Sequence, residues 1–151
     1  MARWINNAIT GLFLAAIVLV AWTGCKKAYS DPPLYTYPSL TMVRMSAELH
    51  ARDLGGKALV VAATGSMEPT LMAGDFIVVT KPPFPSIEEG DILIYKAEWS
   101  LSGAPVCHRA VQKDRRGWIM SGDNNRHSEP HWRVTEDNYM GLVEARYRLK
   151  P

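Results

Sequence analysis

The segment from Thr64 to Leu71 (TGSMEPTL) places a serine in a short turn between two apolar runs. A serine hydroxyl is a poor nucleophile until a base takes its proton, and its reaction needs nearby backbone N–H groups to hold the oxyanion. Gly65 permits an unusual backbone angle beside Ser66, and Pro69 leaves N–H groups near the serine without helical partners. A Gly-Ser pair alone is typical of a plain turn, so the prediction of Ser66 as a nucleophile depends on motifs elsewhere.

Three further motifs supply residues that such a nucleophile needs. They are GDILIYK at 90–96, PVCHRAV at 105–111 and SGDNN at 121–125. A histidine can accept the serine proton, and it needs a carboxylate to orient its ring and to stabilise the imidazolium that forms. His108 and Asp123 supply these two residue types.

Together, the four motifs resemble those of type I signal peptidases, whose nucleophile segment reads Ser-Gly-Ser-Met-x-Pro-Thr-Leu, followed by Gly-Asp and an apolar strand. Thr64 stands at the first serine of that pattern and keeps a hydroxyl. The resemblance therefore implies that Thr64 and Ser66 form the oxyanion hole. The second motif is similar to the family's Gly-Asp-Ile-Val-Val-Phe strand.

His108-Arg109 is similar to the His-Arg pair of the branch found in the endoplasmic reticulum and in archaea. Most bacterial members carry Lys-Arg instead, with the lysine as base. The resemblance thus implies that His108 is the general base. An ordinary imidazole has a pKa of about 6.5, so a histidine base needs less adjustment than a lysine to work near neutral pH.

The third member of the catalytic group is left open between two carboxylates. Asp123 belongs to the SGDNN motif, whereas Glu129 is the nearest equivalent of a second carboxylate that follows this motif in the His branch. Glu129 is a longer side chain than that pattern has. Ser128 matches a serine that assists the base in the lysine branch, and His127 and His131 are interpreted as surface residues.

The resemblance extends from Ala58 to about Leu149. It implies a mixed β-barrel fold shared with self-cleaving repressors, and it implies neither a cofactor nor a metal. Residues 113–117 form only a short turn where many bacterial members carry a large inserted subdomain. The chain is therefore expected to be a minimal catalytic core.

Hydrophobic periodicity predicts a mainly β body with one short helix. The helix is predicted over Thr41–Leu54, with Met42, Met45, Ala47 and Leu49 on its apolar face and Gly55-Gly56 as its end. Residues 31–39 hold three prolines and are interpreted as an extended linker. The strands are predicted at 58–63, 76–80, 91–96 and 139–149, with a hairpin formed by 105–112 and 117–120. The sheet is expected to close into a barrel or to curl.

Residues 8–24 form an uncharged apolar run, preceded by Arg3 and followed by Lys26-Lys27. At 1.5 Å per residue this run spans roughly 26 Å, slightly less than a hydrocarbon core of about 30 Å. It is interpreted as a signal anchor, with a lipoprotein signal ending at Cys25 and a cleaved signal as alternatives. All three place the body outside the cytoplasm. The predicted division is an anchor at 1–27, a linker at 28–40 and a catalytic domain at 41–151.

Composition excludes two other classes of protein. The 17 basic and 15 acidic residues give a net charge of +2, which disfavours a nucleic-acid-binding protein. The two cysteines, Cys25 and Cys107, are too few for a zinc cluster and are not expected to form a disulfide. The resemblance, taken with the apolar run, implies an endopeptidase at the outer membrane face, anchored in the lipid bilayer, that cleaves exported preproteins after small residues. A processing protease with one dedicated substrate and a non-catalytic binding module on the same fold are the alternatives, and accessory subunits stay open.

Overall fold

Seven β-strands and one α-helix form the regular structure of residues 29–98, 100 and 103–151, the part of the chain that this computed structural model describes. In chain order they are β1 (Leu34–Tyr37), α1 (Leu40–Asp53), β2 (Lys57–Val60), β3 (Phe76–Thr80), β4 (Ile92–Tyr95), β5 (Val106–Asp114), β6 (Gly117–Ser121) and β7 (Tyr139–Leu149). One turn of 3-10 helix covers Phe84–Ser86. The prediction of a mainly β body with one short helix is confirmed.

Six of the strands follow the order β2-β3-β7-β4-β5-β6 in one sheet, and neighbours in this order are antiparallel. β7 is the long central strand, because its Leu142 pairs with Thr80 of β3 on one edge and with Leu93 of β4 on the other. β5 and β6 form the predicted hairpin, whose turn holds the exposed Arg115 and Arg116.

The proline-containing segment at 31–39 is extended, as predicted, but part of it also belongs to the sheet. Its residues Leu34–Tyr37 form β1, which pairs in parallel with the end of β7 through Leu34 opposite Arg146. The carbonyl of Pro33 also accepts a hydrogen bond from the backbone N–H of Arg146 at 2.9 Å. The sheet therefore receives a strand from a segment that composition alone describes as a linker.

Helix α1 lies within one residue of its predicted bounds, but its buried face differs from the predicted one. Val43, Ala47 and Ala51 are buried at i, i+4 and i+8, whereas Met42, Met45 and Leu49 are about half exposed. The prediction is confirmed for Ala47 and was wrong for the three larger side chains, because it weighted side-chain size over position on the helix. The helix instead packs small residues against Val78, Ala145 and Tyr147 of the sheet, which lets the two backbones approach closely.

Strand β4 is buried on both faces, and this positions the candidate site. Leu93 and Tyr95 point into one apolar cluster with Ala110, Trp118, Met120 and Tyr139, among others. Ile92 and Ile94 point into a second cluster with Met67, Leu71, Ile77 and Val143. The alternation follows from the period of two along a strand. β4 is therefore the common wall of two cores.

No helix in residues 29–98, 100 and 103–151 is long and apolar enough to cross a membrane. The anchor predicted at 1–27 lies outside the described residues.

Candidate active site

The turn that carries Ser66 is held in place by apolar side chains that follow it. Met67 and Leu71 are 4% and 1% exposed and belong to the second core cluster, and the backbone N–H of Leu71 donates to the Met67 carbonyl at 2.9 Å. Gly65 has a φ of +71°, a value that L side chains rarely adopt, so glycine is needed before the serine. The half-buried Ser66 is thus presented at a fixed turn between β2 and β3.

His108 lies on β5 opposite Leu93 of β4 and contacts Ser66 directly. Its Nε2 is 3.1 Å from the Ser66 Oγ, and its Nδ1 is hydrogen-bonded to Oε1 of Glu129. A carboxylate only accepts hydrogen bonds, so Nδ1 carries a hydrogen, and in the neutral ring Nε2 has the lone pair and faces the serine. His108 is 4% exposed. This arrangement can remove the serine proton.

Glu129 reaches His108 from the segment that follows β6. Its backbone N–H donates to the Met120 carbonyl at 2.8 Å, which ties this segment to β6. Of the two carboxylates that the sequence leaves open, Glu129 is the one bonded to the histidine. This hydrogen-bonded pair is shielded, with side-chain exposures of 5% for His108 and 17% for Glu129.

Asp123, the other predicted carboxylate, does not hydrogen-bond His108. It accepts two hydrogen bonds from Arg109, at 2.8 Å from Nε and 2.7 Å from Nη2. Burial alone would raise the pKa of Asp123, but the hydrogen bonds from Arg109 and Thr70 outweigh burial and hold that pKa below its ordinary value. Asp123 therefore neutralises a buried arginine and braces the loop that carries Thr70.

Arg109 connects this centre to the start of the described chain. Besides Asp123, it donates to the Gly90 carbonyl at 2.9 Å and to Oδ1 of Asp31 at 2.7 Å. Burial acts to lower the pKa of Arg109, but the carboxylates of Asp123 and Asp31 raise it overall. The residue after the histidine is thus a fixed cation that joins three segments.

The SGDNN segment docks on the nucleophile turn through its backbone. The N–H of Asn124 donates to the Ser66 carbonyl at 2.9 Å, and its side-chain amide donates to the Gly65 carbonyl at 3.0 Å. A Cβ on Gly122 would lie 2.6 Å from the Ser66 carbonyl oxygen, so only glycine permits this approach. This motif fixes the nucleophile rather than the base.

The predicted oxyanion donors lie beside the nucleophile. The Thr64 hydroxyl oxygen is 3.4 Å from the Ser66 Oγ, and Thr64 is exposed toward the solvent. The backbone N–H of Ser66 has no acceptor within the part of the chain that the structure describes. Both groups are therefore available to a carbonyl oxygen of a bound substrate.

A groove of about 700 Å³ opens beside Ser66. Its lining includes the segments 59–62 and 104–107 and the buried side chains of Leu71, Ile77 and Ile94. Leu59 and Val60 are 40% and 59% exposed on one rim. The groove is therefore mainly apolar, and Ser66 and His108 are among its lining residues.

Scans of this chain against models of protein families and against curated proteins give no match.

The other residues singled out in the sequence follow the SGDNN segment and lie at the surface. His127, Ser128 and His131 are exposed, which agrees with a surface position for the two histidines. Among the described residues, no group of three His, Cys, Asp or Glu side chains is placed to hold a metal ion.

Tyr95, which sequence reasoning missed, donates a hydrogen bond from its hydroxyl to Oε2 of Glu129 at 2.8 Å. The hydroxyl of a buried tyrosine usually has a hydrogen-bond partner, and this tendency was the available signal.

The thiol of Cys107, which lines the groove, is expected to be unreactive. Burial raises its pKa to about 12, with a further contribution from the charge of Asp123. Against an ordinary cysteine pKa of about 8.5, the thiolate fraction at pH 8 falls by roughly 10³-fold. Iodoacetamide labelling of a Cys25→Ser variant should slow by a similar factor. The same variant in urea supplies the control rate, and equal rates in the two states would contradict the expectation.

Proposed function

We propose that the protein is a serine endopeptidase of the type I signal peptidase family, in which Ser66, His108 and Glu129 form the catalytic group. The observation that carries the proposal is the continuous contact from the Ser66 Oγ through both nitrogens of His108 to Glu129. This is the order of groups that activates a serine in acyl transfer. The mainly β architecture agrees with the mixed β-barrel core that the resemblance implies.

The proposed reaction has two halves. Nε2 of His108 takes the Ser66 proton while Oγ attacks the scissile carbonyl carbon, and the oxyanion is held by the Ser66 N–H and the Thr64 hydroxyl. The C–N bond then breaks as His108 gives its proton to the leaving amine. Water then attacks the acyl carbon as His108 takes one of its protons. The C–Oγ bond breaks and His108 returns that proton to the Ser66 Oγ, which releases the carboxylate product and restores the serine. No metal or cofactor takes part in this scheme.

The groove and the sequence together define the proposed substrate. The preprotein lies extended along the groove between segments 59–62 and 104–107, and cleavage follows small residues. The apolar run at 8–24 places the reaction at the outer membrane face, where exported chains emerge. Family resemblance supports this choice of substrate, and the groove is compatible with it.

The deciding experiment is cleavage of a preprotein by the full chain in detergent. We expect a single cut after a signal sequence that ends in Ala-x-Ala, and we expect no cut when the two alanines are replaced by phenylalanine. Mass spectrometry of the products identifies the cleaved bond. Cleavage of one preprotein among many with equivalent sites would favour a dedicated processing protease. Binding of the peptide without cleavage would favour a non-catalytic binding module and would contradict the proposal.

A further inference from the structure

The hydroxyl of Tyr95 lies behind the His108–Glu129 pair, on the side away from Ser66. It donates to Oε2 of Glu129 at 2.8 Å, and its oxygen is 3.3 Å from Nδ1 of His108. Tyr95 is fully buried on β4, in the core cluster that contains Trp118 and Met120. Each oxygen of the Glu129 carboxylate therefore has one donor, a ring N–H on Oε1 and a phenol on Oε2.

The direction of the hydrogen bond from the Tyr95 hydroxyl also affects which tautomer His108 adopts. A phenol that donated to Nδ1 of His108 would require a lone pair there and would leave the hydrogen on Nε2, which faces Ser66. That tautomer cannot take the serine proton. Because the Tyr95 hydroxyl donates its hydrogen bond to Glu129 and not to Nδ1, Nδ1 keeps its own hydrogen. The lone pair of Nε2 then stays free to accept the serine proton. Burial and the charge of Glu129 raise the pKa of Tyr95, so the phenol stays a donor at neutral pH.

We propose that Tyr95 is a positioning residue whose hydroxyl fixes the Glu129 carboxylate and, through it, the reactive tautomer of His108. The proposal rests on the proposed function. It also explains two departures from the family pattern as one structural unit. The carboxylate at 129 is longer than the pattern has, and the residue at 95 is a tyrosine where the pattern has phenylalanine. The hydroxyl of Tyr95, which phenylalanine lacks, donates a hydrogen bond to Oε2 of the longer Glu129 side chain.

The first test compares two tyrosines in the same core cluster. Tyr95→Phe removes only the hydroxyl, and we expect kcat to fall about 10- to 100-fold with little change in KM, as for the loss of one hydrogen bond to a charged group. Tyr139→Phe is the matched control. Its hydroxyl is buried without a hydrogen-bond partner among the described residues, so its removal should leave kcat within about twofold of wild type.

A double-mutant cycle separates positioning from a general structural role. In a Glu129→Ala background, adding Tyr95→Phe should cause no further loss of kcat, because the hydroxyl acts through a carboxylate that is gone. A loss that stays tenfold or larger in that background would overturn the proposal. Equal losses in Tyr95→Phe and Tyr139→Phe would overturn it as well.

Proton NMR of the full chain in detergent gives a measurement that needs no substrate. The hydrogen on Nδ1 of His108, held by a carboxylate in a shielded site, should resonate far downfield of the backbone amides, and Glu129→Ala should remove the signal. Tyr95→Phe should shift or broaden it, and Tyr139→Phe should leave it unchanged. A signal that Tyr95→Phe does not move would overturn the role of Tyr95. A wild-type protein that cleaves no preprotein would instead contradict the proposed function, while this signal would still decide the positioning.

Discussion

Replacing Ser66 by alanine is expected to abolish preprotein cleavage, with a loss in kcat on the order of 10⁶-fold. The hydroxyl forms the covalent bond in the proposed reaction, and neither His108 nor the oxyanion donors can replace it. The turn itself should persist, because Met67 and Leu71 are buried and Asn124 holds the Ser66 carbonyl through its backbone. Removal of one half-buried hydroxyl should therefore change Tm by no more than a degree or two.

Ser128→Ala is the matched control for this variant. Ser128 is an exposed serine directly before Glu129 in the sequence, so the same chemical change is made beside the site without touching the nucleophile. Its kcat should stay within about twofold of wild type. Cleavage by Ser66→Ala at more than about a hundredth of the wild-type rate would exclude Ser66 as the nucleophile. A variant that is inactive and also unfolded by circular dichroism would require Ser66→Cys, which should keep the fold and a weak activity.

The sequence was most informative where chemistry requires particular residue types in short motifs. Ser66 and His108 are 42 residues apart in the chain, yet their separate motifs predicted a pair that the structure brings to 3.1 Å. The strands at 76–80 and 139–149 were also predicted with their observed bounds, since apolar runs bounded by turn residues are a strong signal. Local signals of this kind do not depend on tertiary packing.

Features that depend on contacts between distant segments were not predictable in this way. The buried face of α1 is set by how closely a sheet approaches Val43, Ala47 and Ala51, and hydrophobicity alone favours larger residues. β1 exists because β7 extends beyond β4 and offers a free edge to Leu34–Tyr37. The sequence does not show which carboxylate is bonded to His108. Asp123, the carboxylate nearer in the sequence, is hydrogen-bonded to Arg109 instead, and this contact is visible only in the structure.

The division of roles between the two carboxylates gives the second large prediction. Glu129→Gln keeps the size of the side chain but removes its charge, and its amide can donate toward Nδ1 and so favour the wrong tautomer of His108. We expect kcat to fall by roughly 10⁴-fold, the size of loss seen when the carboxylate of such a catalytic group becomes an amide. Thermal stability should change little, because Glu129 is attached to β6 by its backbone rather than by its side chain.

Asp123→Asn should give the opposite result, a smaller loss of activity with a clear loss of stability. The carboxylate is paired with the buried Arg109, and breaking such a pair costs roughly 3 kcal/mol when a second partner, here Asp31, still neutralises part of the charge. Because the pKa of Asp123 is lowered in the folded protein, this stabilisation is present above an unfolded pKa of about 3.9 and is lost as the pH falls through the folded value. Urea unfolding should therefore separate wild type from Asp123→Asn at pH 7, and the difference should shrink below about pH 4. If Asp123→Asn lost more kcat than Glu129→Gln while keeping its stability, the assignment of the two carboxylates would be reversed.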